Sequence, residues 1–237
     1  MSDTEHAIIQ KRETWILPGA ILAAGLLLAI ALFVLRHHTA PGSVVADLSL
    51  LRPVNAQDHI VGSPDAPVKL VEYSDIDSSY SKSFQETMEQ LMSEYAAGGK
   101  VAWVYRHLPL IDQHVHAADH AEAAECIASL GGPNIFWRFI SALNAQAPGD
   151  LQFDPGQYDS VVQSLGILPQ SFDACVNAHT YQQRVADDFS NGLAIGAGGS
   201  PFSVLLVKGQ PPVTINGAVP YDGMKRILDK ATSQVGQ

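Results

Sequence analysis

A chain of 237 residues has room for a membrane anchor and one globular domain large enough to fold without disulfide support. Its formal net charge is −10, with 14 Lys and Arg against 24 Asp and Glu, and no basic patch or arginine-rich run. That balance excludes nucleic acid as a partner, and the acidic surface bears mainly on solubility.

Residues 1–15 form an N-terminal tail, and Ile16 to Leu35 then run without a charge. At a helical rise of 1.5 Å per residue this stretch spans about 30 Å, the thickness of a bilayer's hydrocarbon core. Trp15 borders one end and Arg36-His37-His38 the other, as interfacial anchors do. A cleaved signal peptide has a shorter apolar region, about 7–15 residues. Val54-Asn55-Ala56 resembles a cleavage site but lies far past the apolar stretch, so an uncleaved single-pass anchor at 16–35 is predicted. Lys11 and Arg12 before it and Arg36 after it bias the N-terminus toward the cytoplasm. Everything beyond about Thr39 is then extracytoplasmic, periplasmic or extracellular.

Residues 36–57, with Pro41, Gly42 and Pro53 and no sustained periodicity, read as a stalk leading to a globular part at 58–237. Gly62-Ser63-Pro64-Asp65-Ala66-Pro67 is a turn cluster, and Val68–Tyr73 an apolar strand. A helix is predicted from about Ser79 to Ala97 on the spacing of Phe84, Met88, Leu91, Met92 and Tyr95, with Gly98-Gly99 as its stop. Val101–Arg106 reads as a second buried strand, and strand-helix-strand order calls for a crossover connection. A helical region of about 110–195 follows, broken near Gly131-Gly132-Pro133 and between Pro148 and Gly156. Ser203–Val207 and Val213–Asn216 form a hairpin, and a last helix covers about Tyr221 to Ser233. The predicted class is α/β: a thioredoxin arrangement with an all-helical domain inserted in its middle, preceded by one transmembrane helix.

Four local patterns in this order resemble the DsbA-like thioredoxin family in its membrane-anchored bacterial form. They are Gly62–Val68, Glu72-Tyr73-Ser74-Asp75 with Lys82-Ser83-Phe84, Tyr105–Leu110, and Gly199-Ser200-Pro201-Phe202 followed by Ile215-Asn216-Gly217. The resemblance covers Asp58 to about Ala231 and implies a thiol-disulfide oxidoreductase scaffold whose Cys-x-x-Cys motif stands at the start of the first long helix. The corresponding positions here are Ser78 and Ser81, in Ser78-Ser79-Tyr80-Ser81. A helix N-terminus lowers a thiol pKa into a useful range, but an alcohol starts too far above it, and a hydroxyl forms no disulfide. Serine is nevertheless a favoured N-cap, so the helix start survives the exchange. The resemblance also implies that Ser200-Pro201 is the cis-proline loop beside the motif, pairing with extended peptide. Ser79, Tyr80, Ser200, Pro201 and Phe202 are its expected peptide-binding residues, by strand addition and apolar contact.

Other candidates carry less. Cys126 and Cys175, the only cysteines, fall in predicted helices. A structural disulfide is expected in an oxidising compartment, with two buried thiols or a reactive pair as alternatives. His116 and His120 share a helical face near His114, Asp112 and Asp119, but the spacing lacks His-Glu-x-x-His, so no metal is expected. Ser78 lacks the Gly-x-Ser-x-Gly context of a hydrolytic nucleophile, and Asp75 and Asp77 alone make no triad. The expectation is therefore a cofactor-free, redox-silent protein of the cell membrane that binds unfolded or extended envelope polypeptides. One alternative is an inactivated copy of a disulfide oxidase or isomerase with cysteine at 78 and 81. Another is a redox sensor acting through Cys126 and Cys175.

Overall fold

The computed structural model describes residues 47–149 and 151–235. The tail at 1–15, the anchor expected at 16–35 and the first part of the stalk lie outside them. Among the described residues no helix is long and apolar enough to cross a membrane.

Strands β1 (His59–Gly62) and β2 (Val68–Ser74), helix α1 (Ser79–Tyr95) and strand β3 (Val101–His107) come first. Helices α2 (Ala117–Gly131), α3 (Pro133–Gln146), α4 (Tyr158–Ser164), α5 (Pro169–Asn177) and α6 (Gln182–Ala194) make up the insertion. Strands β4 (Phe202–Val207) and β5 (Val213–Asn216) and helix α7 (Tyr221–Ser233) complete the order.

The sheet runs β1-β3-β2-β4-β5. β2 and β3 are parallel, Val68 opposite Val101 through Ser74 opposite His107, while the other pairs are antiparallel. A parallel pair needs a crossover, and α1 supplies it. Gly99, at φ 64°, takes the left-handed turn that ends the crossover's last 3-10 turn and sends the chain into β3.

Period-2 alternation divides β2 between two cores. Val68 and Leu70 meet Phe84, Met88 and Leu91 of α1 and Met224 and Leu228 of α7. Val71 and Tyr73 face the opposite layer with Val104, Leu108, Phe202 and Val204. The insertion has its own core of Ile127, Phe136, Phe139, Ile140, Val162 and Phe172, which reaches the sheet through Tyr105 and the turn after β2 through Ile76. Cys126 on α2 and Cys175 on α5 are joined by a disulfide.

Two features differ from the sequence reading. His59–Gly62, left unassigned there, is an edge strand paired antiparallel to β3; four residues are too few to show periodicity. The described part of the expected stalk, 47–57, packs on the domain instead of hanging free. Asp47 caps a 3-10 turn at Leu48–Leu50, and Leu48, Leu51 and Val54 lie against the Val71–Val204 core. Arg52 pairs with Asp188, Asn191 Nδ2 donates to Leu50 O at 2.8 Å, and Arg106 donates to the Arg52 and Pro53 carbonyls. Pro53 and the lack of pattern conceal this, because the contacts holding it come from residues more than 50 positions away.

Candidate functional site at the start of helix α1

Where β2 ends, Ser74–Ser78 turns the chain into α1, and Ser78 caps that helix by accepting from Ser81 N–H at 3.4 Å. The Ser200–Pro201 peptide bond beside it is cis. Three contacts join the two segments. Asp75 N–H donates to Ser200 Oγ at 2.7 Å, Ser78 Oγ donates to Ser200 O at 3.3 Å, and Ser81 Oγ lies 2.7 Å from Ser200 Oγ. The two motif hydroxyls therefore address the residue before the cis-proline, and both are buried.

Buried carboxylates hold the turn. Asp75 accepts from Asp77 N–H at 2.9 Å and Leu110 N–H at 2.8 Å, and it pairs with His114 at 2.9 Å. Asp77 pairs with His120, also at 2.9 Å. His116 instead lies 3.5 Å from Asp119 on its own helix. The three histidines weighed as a metal set thus turn to three separate carboxylates, two of them serving the motif loop. Among the described residues no histidine or carboxylate hydrogen-bonds to Ser78 or Ser81 Oγ, so neither hydroxyl has a base to activate it.

A groove of about 470 Å³ opens beside the cis-proline, lined by Tyr80, Gly198–Pro201 and Asn216–Ala218. Tyr80 is 69% exposed at its rim, and Ser79 and Ser200 are half-buried. Phe202 is a correction: expected to contact peptide, it is only 2% exposed and its ring packs near Tyr73. As the first residue of β4 it points into the core, and strand alternation leaves it no route to the groove. Asn216 and Gly217 line the groove where Phe202 does not. Phe202 pairs with Asn216 across the hairpin, and Gly217 N–H donates to Pro201 O at 2.9 Å. A hairpin register counted back from the Lys208–Pro212 turn is the signal that points to them.

Below the site, on β2, Glu72 is fully buried. Trp103 Nε1–H donates to its Oε2 at 2.7 Å, while Oε1 has no hydrogen-bond partner. Burial pushes the Glu72 carboxyl up to about 7, against the smaller opposing effect of hydrogen bonds such as that from Trp103. On α1, Lys82 Nζ donates to the Ala147, Gly149 and Leu151 carbonyls, tying the helix start to the α3–α4 loop.

A mixed sheet, a crossover helix capped by the motif, a cis-proline loop facing that cap and a helical insertion define a thioredoxin-fold protein of DsbA-like type. The family model described as "Thioredoxin" matches residues 54–230, and the chain belongs to that family. Oxidised BdbD from Bacillus subtilis superposes with a TM-score of 0.66 at 20% identity, over 77% of this chain and 97% of that one. DsbA2 from Pseudomonas aeruginosa does so with a TM-score of 0.64 at 20% identity, over 78% and 100%. Identities this low speak for the fold alone. Among curated proteins, Na(+)/H(+) antiporter NhaA 1 of Mycolicibacterium gilvum is 31% identical over 196 residues, 80% of this chain and 30% of that protein. The chain thus spans less than a third of the length of the curated relatives it matches.

Proposed function

We propose that this is a redox-silent, DsbA-like peptide-binding protein of the cell envelope, held to the membrane by residues 16–35 with its folded domain outside the cytoplasm. The observation that carries the reading is the pairing of Ser81 Oγ with Ser200 Oγ at 2.7 Å, beneath an open groove. The positions corresponding to the family's two cysteines hold hydroxyls, while the cis-proline loop and its groove are intact. Its ligand is an extended or unfolded polypeptide, laid along the cis-proline loop with an apolar side chain against Tyr80. The Cys126–Cys175 disulfide suits an oxidising compartment. Relatives named as Na(+)/H(+) antiporters contain a matching stretch as part of a longer polypeptide, which favours work beside a membrane. Ion exchange is not carried over to this chain.

The test is a titration of the protein with a labelled, cysteine-free unfolded polypeptide. Binding is expected, weakened about tenfold by Tyr80→Ala, the order of effect of losing one aromatic anchor. Absence of binding rejects the reading. The placement of both motif positions against the cis-proline loop favours a second one, a silenced oxidoreductase. Under it the Ser78→Cys/Ser81→Cys double variant oxidises a reduced, unfolded protein, and an inert double variant rules it out.

A further inference from the structure

Far from the motif in sequence, three buried side chains from three different elements converge. His59 on β1, His107 at the end of β3 and Glu125 on α2 present donor atoms that all lie within 4.8 Å of one another. His59 Nε2 is 2.9 Å and His107 Nε2 is 3.2 Å from the same oxygen, Glu125 Oε1. In a tetrahedral site with bonds near 2.0–2.1 Å, neighbouring donors stand about 3.3 Å apart. The two imidazole–carboxylate spacings are thus within a few tenths of an ångström of what a cation requires, and the imidazole nitrogens lie no more than 4.8 Å apart. Both rings are fixed by packing before any ligand arrives. His59 stacks on Phe136 with centroids 3.5 Å apart, and His107 stands edge-on to Tyr105 at 5.2 Å and to Phe136 at 6.1 Å.

A buried hydrogen-bond network is the alternative use of these residues, and Arg184 decides against its being complete. Its Nε sits 2.6 Å from Glu125 Oε1, yet that N–H makes no hydrogen bond. Three nitrogens crowd one carboxylate oxygen, which has lone pairs for two. Arg184 is the more exposed member, its side chain 22% exposed against 4% for Glu125, and its Nη2 donates to the Gln57 carbonyl and lies 3.5 Å from His59 Nε2. A cation at Oε1 would therefore have to displace the Arg184 guanidinium from that oxygen.

We propose that His59, His107 and Glu125 form a binding site for a borderline divalent cation of the zinc class, stapling the sheet to the helical insertion. Two imidazoles and one carboxylate are a donor set such ions accept, with water completing the fourth position. The role is structural, since the site joins β1 and β3 to α2 and contains no residue of the Ser78–Ser81 groove.

The experiment uses the full chain, stripped with a chelator and titrated with Co²⁺ and with Zn²⁺. The expected result is one equivalent of Co²⁺ giving the intense visible bands of a low-coordinate site, with Zn²⁺ displacing it and raising Tm. His59→Gln should abolish the bands. Arg184→Gln removes the competing guanidinium and should tighten Co²⁺ binding tenfold or more, an outcome a purely structural network would not produce. Bands that survive His59→Gln, or none from either the wild type or Arg184→Gln, overturn the proposal. Because Arg184 is partly exposed, that variant remains informative if His59→Gln does not fold.

Discussion

Replacing Glu72 with glutamine should abolish a pH dependence of stability that runs opposite to ordinary acid denaturation. The carboxyl titrates at its ordinary 4.5 in the unfolded chain and near 7 in the folded one, because burial disfavours its charged form. Below pH 4.5 both states carry the proton and the group contributes nothing. Between 4.5 and 7 the unfolded chain has released it while the native state keeps it. The native state then binds more protons, and unfolding free energy falls as pH rises. The loss is complete above about 7, where both states are ionised. A displacement of this size corresponds to about 3 kcal/mol, the product of the shift and 1.36 kcal/mol per pH unit. Glutamine keeps the shape and an oxygen for the Trp103 indole but has no proton to release. Urea unfolding of wild type and Glu72→Gln, followed by tryptophan fluorescence from pH 4 to 8, measures the difference directly. The two should agree within about 1 kcal/mol at pH 4, with the variant the more stable by about 3 kcal/mol at pH 8. Parallel profiles would refute the reasoning.

Other substitutions test the packing around the site. Removing the disulfide by Cys126→Ala with Cys175→Ala releases a loop of 49 residues and should cost about 4 kcal/mol in denaturant unfolding. Gly192→Ala, on α6, brings a methyl within 2.9 Å of Leu108 and 3.0 Å of Tyr73. Overpacking of about 1–3 kcal/mol should exceed the helix-propensity gain of about 1 kcal/mol, so Tm should fall, and a rise would contradict the close approach. Lys82→Met leaves the Ala147, Gly149 and Leu151 carbonyls without their ammonium and should cost about 3 kcal/mol. Limited proteolysis should then cut first between residues 147 and 151.

Local periodicity was enough to determine the strand-helix-strand at Val68–Arg106, the hairpin after Pro201 and the final helix. Apart from the four-residue β5, which its hairpin turn announces, these elements are long enough for a period of 2 or 3.6 to show, and they bury the residues that carry it. The capping role of Ser78 was also legible, because N-cap preference depends on one side chain and the backbone next to it. Tertiary structure alone decided what depends on partners far along the chain. It made His59–Gly62 a strand, docked 47–57 on the domain and turned Phe202 into the core, with Asn216 and Gly217 beside the cis-proline. Cys126 and Cys175 left three readings open in the sequence, and only the packing of α2 against α5 brings their sulfurs together. His116 and His120 share a face on helical spacing, yet the fold gives His116 to Asp119 and His120 to Asp77. His59, His107 and Glu125 shared no motif at all. Residue type and spacing encode local conformation, whereas a site assembled from β1, β3 and α2 exists only once the sheet and the insertion have closed on each other.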